Sequence, residues 1–169
     1  MTFEQGLALT QDLLTEIEQG NGSEAEIEAA IASLVSSENG ARAFFVVYLA
    51  GSSSLADDPS SGIIRALQTA PEVVAELLVK NLAMSTAMAI THHRSHASEM
   101  AAGSERVERR TVRLIQQVQL PLVREKAQAL LESLTLGSGH YQGFLDRLGY
   151  DVEQRQAIRQ NLRYLLADD

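Results

Sequence analysis

Residues 71–95 read PEVVAELLVKNLAMSTAMAITHHRS, and this stretch decides the fold. Pro71 suits a first helical turn, where its missing N–H has no partner to lose, and Glu72 sits beside it at the positive end of the helix dipole. Val73, Val74, Leu77, Leu78, Leu82, Met84, Met88 and Ile90 then cover more than half of the helical circumference. Glu76, Lys80, Ala83, Ala87 and Thr91 form the narrower polar or small-residue side. A helix apolar almost all round is a buried one. At about 1.5 Å per residue it runs roughly 37 Å, the width of a small domain. A membrane span is not expected, because Glu76, Lys80 and Asn81 would lie in hydrocarbon; Glu76 and Lys80 read instead as an i,i+4 surface pair.

Working outward toward the N-terminus, Thr2 with Gln5 forms a capping-box pattern that opens a helix over 3–19, and Gly20-Asn21-Gly22 stops it. Ser23 with Glu26 opens a second helix, whose inner face is Ile27, Ala30, Ile31, Leu34 and Val35. Neither helix contains a lysine or arginine. Residues 41–51, ARAFFVVYLAG, are of types that strands favour. A lone strand would have no hydrogen-bonding neighbour, so the reading is a third, buried helix from Ser37 or Glu38 to Gly51, with Tyr48 needing a partner for its hydroxyl. Residues 51–62, GSSSLADDPSSG, form the one clear loop, ordered and functional or else mobile, with Leu55 and Ala56 as its apolar anchors. Its opening lacks the glycine spacing and the lysine of a phosphate-binding loop. A short helix over 61–69 leads into the central one.

On the C-terminal side the helical pattern runs on to Gln119, as one bent helix over 71–119 or, the preferred reading, with a break near 95–98 and Ser98 or Ser104 as a new cap. Pro121 ends that helix and starts another over 122–136. Gly137-Ser138-Gly139 connects to a short helix at 140–148, and Asp151 with Gln154 caps a last one. The expected fold class is therefore all-α: a single irregular or orthogonal bundle of about seven to nine helices around 71–95, in one domain over 1–169.

The chain is 45% hydrophobic and 21% charged, as a globular domain is, and it has no cysteine, which excludes disulfides, thiolate metal sites and cysteine nucleophiles. The opening MTFEQGLALTQDLL lacks the basic start and apolar core of a signal peptide, so a soluble cytoplasmic protein is expected. The net charge of −8 is unevenly spread. Residues 1–93 carry twelve acids against three bases, and residues 94–163 carry eleven bases against eight acids, with Asp168 and Asp169 closing the chain. Such lopsidedness is either a set of solvated faces or a surface dipole that orients partners and self-association.

Three clusters stand out. Met84, Met88, His92, His96 and Met100 follow at steps of four, and His92 with His96 at i,i+4, joined by Glu99, makes a candidate metal or tetrapyrrole site, although a helical-bundle carboxylate site needs its Glu-x-x-His unit twice. Arg106, Arg109, Arg110 and Arg113 lie on one helical stripe that Arg94 extends; guanidinium forks suit carboxylates and phosphates, on a partner or within the chain. Tyr141, Arg147 and Tyr150, in the aromatic stretch 140–151, are further candidates for partner contact. Nucleic acid is a poor fit, since the chain is acidic and the stripe has no interleaved aromatics.

No nucleophile elbow, zinc-protease spacing, dinucleotide fingerprint or phosphate loop is present. The expected function is a non-catalytic interaction or adaptor protein, with a homodimer among the expected assemblies, that binds an acidic protein partner through the arginine stripe without a cofactor. The alternative is a ligand-binding helical module that holds a metal, tetrapyrrole or anionic metabolite near His92, His96 and the arginines.

Overall fold

The first four helix starts in this chain are set by side chains that accept the first free N–H groups. In the computed structural model, which describes residues 1–167, α1 (Phe3–Glu18) begins with Thr2 Oγ1 accepting from Gln5 N at 3.1 Å and Gln5 Oε1 accepting from Thr2 N at 2.8 Å. The same reciprocal box opens α2 (Glu24–Val35) at Ser23 and Glu26. Ser37 caps α3 (Glu38–Ala50), and Ser60 caps α4 (Ser61–Gln68). Pro71 and Pro121 occupy the first turns of α5 (Pro71–Arg94) and α7 (Pro121–Leu136). Between them lies α6 (Ser98–Val118), and α8 (Gln142–Leu148) and α9 (Val152–Ala167) complete the described residues. Asp168 and Asp169 lie outside them. Among the described residues there are nine α-helices and one 3-10 turn, Ser54–Asp57, and no strand. The all-α reading therefore holds, and Phe44, Phe45 and Tyr48 sit in a helix, buried, where strand propensity yields to packing.

The central helix breaks where the preferred reading breaks it. α5 ends at Arg94, and His96 takes a left-handed backbone conformation at φ 57°. α6 then turns back to pack along α5. Neither Ser98 nor Ser104 caps it; the residue ahead of the helix is Ala97, with no side-chain cap.

α5 is the hub, touching α3, α4, α6, α7 and α9, and Val74, Leu78, Val79 and Leu82 are wholly buried on it. By length and composition α5 could cross a membrane, yet more than half of its most apolar window is buried inside the bundle. The reading of its faces needs one correction. Ala83 and Ala87, assigned to the outer side, are fully buried, while Met88, assigned to the core, is 39% exposed. The small residues let α9 approach closely: Gln154 Nε2 donates to Ala87 O at 3.0 Å and Thr91 Oγ1 at 2.9 Å. Close approach also fixes the α1–α3 crossing, where a Cβ on Gly6 would lie 2.7 Å from Ala43 Cβ.

Glu76 and Lys80 do pair, at 3.2 Å. Glu76 also accepts from the Tyr141 hydroxyl at 2.8 Å and from Lys126 Nζ at 3.1 Å, so one half-buried carboxylate joins α5, α7 and the start of α8. Burial alone would raise its pKa, but the hydrogen bonds from Tyr141, Lys126 and Lys80 outweigh it and hold the carboxyl below its ordinary value. A carboxyl with a lowered folded-state pKa adds stability above its unfolded pKa and loses it as pH falls. Unfolding free energy should therefore decline between about pH 6 and about pH 3, less steeply in Glu76→Gln, as urea titration across that range will measure.

Candidate functional site

The arginine stripe of α6 is split by the fold into inward and outward members. Arg110 is only 4% exposed. Its Nη1 donates to Leu49 O at 2.9 Å and Gly51 O at 2.7 Å, its Nη2 to Ser53 O at 2.8 Å, and its Nε to Asp57 Oδ1 at 2.8 Å. Arg106 Nη2 reaches Ala50 O at 3.4 Å, and Arg113 Nη1 donates to Asp57 O. Two of these carbonyls, Leu49 and Ala50, end α3, a helix with no basic residue in its own last turn. The stripe thus supplies from α6 the positive groups that a helix C-terminus favours.

The loop after α3 is built around this clamp. Ala56 is buried, Leu55 packs on the core, and the Tyr48 hydroxyl finds its partner in Leu55 O at 3.2 Å while its ring stacks on Phe44 at 4.9 Å. Burial pushes the Tyr48 hydroxyl pKa far up. The Asp57 carboxyl is held low, first by its hydrogen bond from Arg110 and then by the charges of Arg110, Arg113 and Arg109. Arg109, with an exposed side chain, forms no bond within the chain. With Arg110, Arg113 and Asp57 it lines a concavity of about 210 Å³. Three guanidinium groups against one carboxylate make its mouth positive.

The other candidates fare differently. Arg94 is held by Asp151 at 2.6 Å and Glu153 at 2.9 Å, stapling the end of α5 to the start of α9. Tyr141 is 2% exposed and bound to Glu76, so it serves the core and offers no surface to a partner. Arg147 is exposed on α8; Tyr150 is half-buried, its hydroxyl pushed up to about 12 by burial. The residues of the metal reading are set apart by the fold. His92 and His96 share a face only on an unbroken helix, and α5 stops between them; His96 sits in the turn and Glu99 in the first turn of α6. Among the described residues no group of three His, Asp or Glu side chains is placed to hold a metal ion. What the step-of-four pattern does assemble is an apolar groove of about 350 Å³ between α5 and α6, lined by Met84, Met88, His92, Met100 and Val107.

The match to a family model runs over residues 2–165, from the Thr2 cap almost to the end of α9. The chain belongs to the family described as Uncharacterised conserved protein UCP020893. No curated protein and no solved structure matches it.

Asp57 and Gln154 went unnoticed as anchors in the sequence. Asp57 is one of two adjacent aspartates in a polar loop, and nothing local says which of them meets an arginine 53 residues away. Removing a buried arginine leaves its acceptors unpaired, so Arg110→Ala should cost about 3 kcal/mol or more, whereas Arg109→Ala should stay within about 0.5 kcal/mol. Urea denaturation will compare the two, and hydrogen exchange will show the amides of 51–57 losing protection in Arg110→Ala alone.

Proposed function

We propose that the protein is a non-catalytic interaction module that docks an acidic protein segment on the outer side of α6, with Arg109 and Arg113 as the contacting residues. The observation that carries this reading is the division of labour within the stripe. Arg110 is consumed by the loop carbonyls and Asp57, while Arg109 stands exposed with all its donors free beside a concavity edged by two more guanidinium groups. Arg113 makes one backbone bond and is otherwise exposed. A carboxylate side chain entering that concavity would meet paired N–H donors in the fork geometry that guanidinium groups supply. Because Arg110 and the 3-10 turn fix the ground beneath, little ordering is needed on this side when a partner arrives. Arg94, Arg110 and Tyr141 are left out of the contact, since bonds within the chain occupy them.

Arg109→Glu combined with Arg113→Glu should abolish pull-down of the partner from a native lysate while leaving thermal stability close to that of the parent. The parent's capture should weaken steeply as salt is raised, because the contact is between exposed charges. Capture that survives the charge reversal would sink the proposal, and loss of capture upon adding a small dicarboxylate would show that the concavity takes free carboxylates as well.

A further inference from the structure

The groove between α5 and α6 contains a residue that the isolated chain does not account for. Gly103 lies in the interior of α6, where glycine costs about 1 kcal/mol relative to alanine. At Gly6 and Gly62 a Cβ would collide with a neighbour within the chain; at Gly103 it would meet nothing within 4 Å. An absent side chain facing open space leaves room for a backbone that arrives from outside. The surroundings point the same way. Met88 and Met100, beside it, are 39% and 59% exposed, and methionine side chains adapt to an incoming apolar surface. The stripe Met100, Gly103, Val107 carries no charge, so a copy of itself can be laid on it without like charges meeting.

The flank of that stripe identifies the occupant. Glu99 and Arg106 lie seven residues apart, hence on one side of α6, and Gly103 falls between them. Glu99 is exposed and makes no bond within the chain. Arg106 Nε is buried without a hydrogen-bond partner, and its Nη2 reaches only Ala50 O, at 3.4 Å. We infer that this face is the interface of a homodimer, in which α6 crosses α6 of a second copy antiparallel about a two-fold axis next to Gly103. Glu99 of each copy then meets Arg106 of the other, and Met88 and Met100 close over the apolar stripe. The arrangement is self-complementary, as a two-fold interface must be. It is independent of the acidic-partner reading, because Arg109 and Arg113 lie about 9 and 15 Å along the α6 axis from the crossing point at Gly103.

Sedimentation equilibrium on the full chain should find dimers dissociating in the range of about 1–100 μM. Met100→Glu, at an exposed position that the monomer fold tolerates, should weaken association at least tenfold by placing an unpaired carboxylate in the interface. Gly103→Ala should weaken association while raising the melting temperature of the dissociated chain, two opposite shifts that a purely intrachain role would not produce. Glu99→Arg and Arg106→Glu should each weaken their own homodimers and form a heterodimer when mixed, since mixing restores both ion pairs. A parent chain monomeric at the top of that range would overturn the inference. So would a dimer whose dissociation constant is unmoved by Met100→Glu, Gly103→Ala and Glu99→Arg, which would assign the groove to a different occupant. Arg109→Glu with Arg113→Glu should leave the dimer intact, so failure of one proposal does not carry the other with it.

Discussion

A guanidinium group buried under a loop is the constraint on which the candidate site depends. Nothing on α6 itself answers the Arg110 guanidinium; the carbonyls of Leu49, Gly51 and Ser53 and the carboxylate of Asp57 do. These oxygens belong to the end of α3 and the turn that follows, so a single side chain decides both where α3 stops and how the chain returns toward α4. The loop in turn gives Arg109 and Arg113 a fixed floor. An acceptor removed from this cluster leaves a charge under-solvated, and the arginine removed leaves several carbonyls unpaired. Either way the cost exceeds that of an ordinary surface pair.

α9 is attached by a different chemistry. Amide side chains reach across to oxygens of α5 that can accept one bond more: Gln154 to Ala87 O and Thr91 Oγ1, and Asn161 to Thr86 Oγ1 at 2.9 Å. The threonines can offer oxygens because their hydroxyls already donate back along α5, Thr86 to Leu82 O and Thr91 to Ala87 O. What reads as a polar seam on a core helix is the mating surface of the last helix. The uneven charge of the chain is partly consumed in the same way, with Arg65 on Glu28, Arg110 on Asp57 and Arg94 on Asp151.

How much of this was legible in the sequence follows from the range of each signal. Helix starts were legible at Thr2, Ser23 and Asp151 because a cap acts over three residues, and so was the break near Ser95. The type of 41–51 was settled only by asking where a strand would find a neighbour. The buried face of α5 was half legible: periodicity says that Ala87 and Met88 face different ways, but not which of the two ways α9 covers. The histidine pair is separated for a local reason, a turn placed directly after Arg94. The arginine stripe was visible as a stripe, while the sorting of its members into clamp and surface depends on acceptors more than fifty residues distant. Gly103 carries no signal in the sequence beyond its low helix propensity; only the empty space where its Cβ would stand gives it a meaning.

The separation of these contacts along the chain also orders the events of folding. α5 and α6 meet through a connection of a few residues, and pairs such as His93 with Glu105 close a span of 12, whereas the bond from Arg110 to Asp57 closes one of 53. The longer closure costs roughly 1.3 kcal/mol more in chain entropy. The α5–α6 hairpin is thus the natural nucleus, and the arginine clamp is a late latch, one whose strengthening slows the opening of the native state more than it speeds its formation.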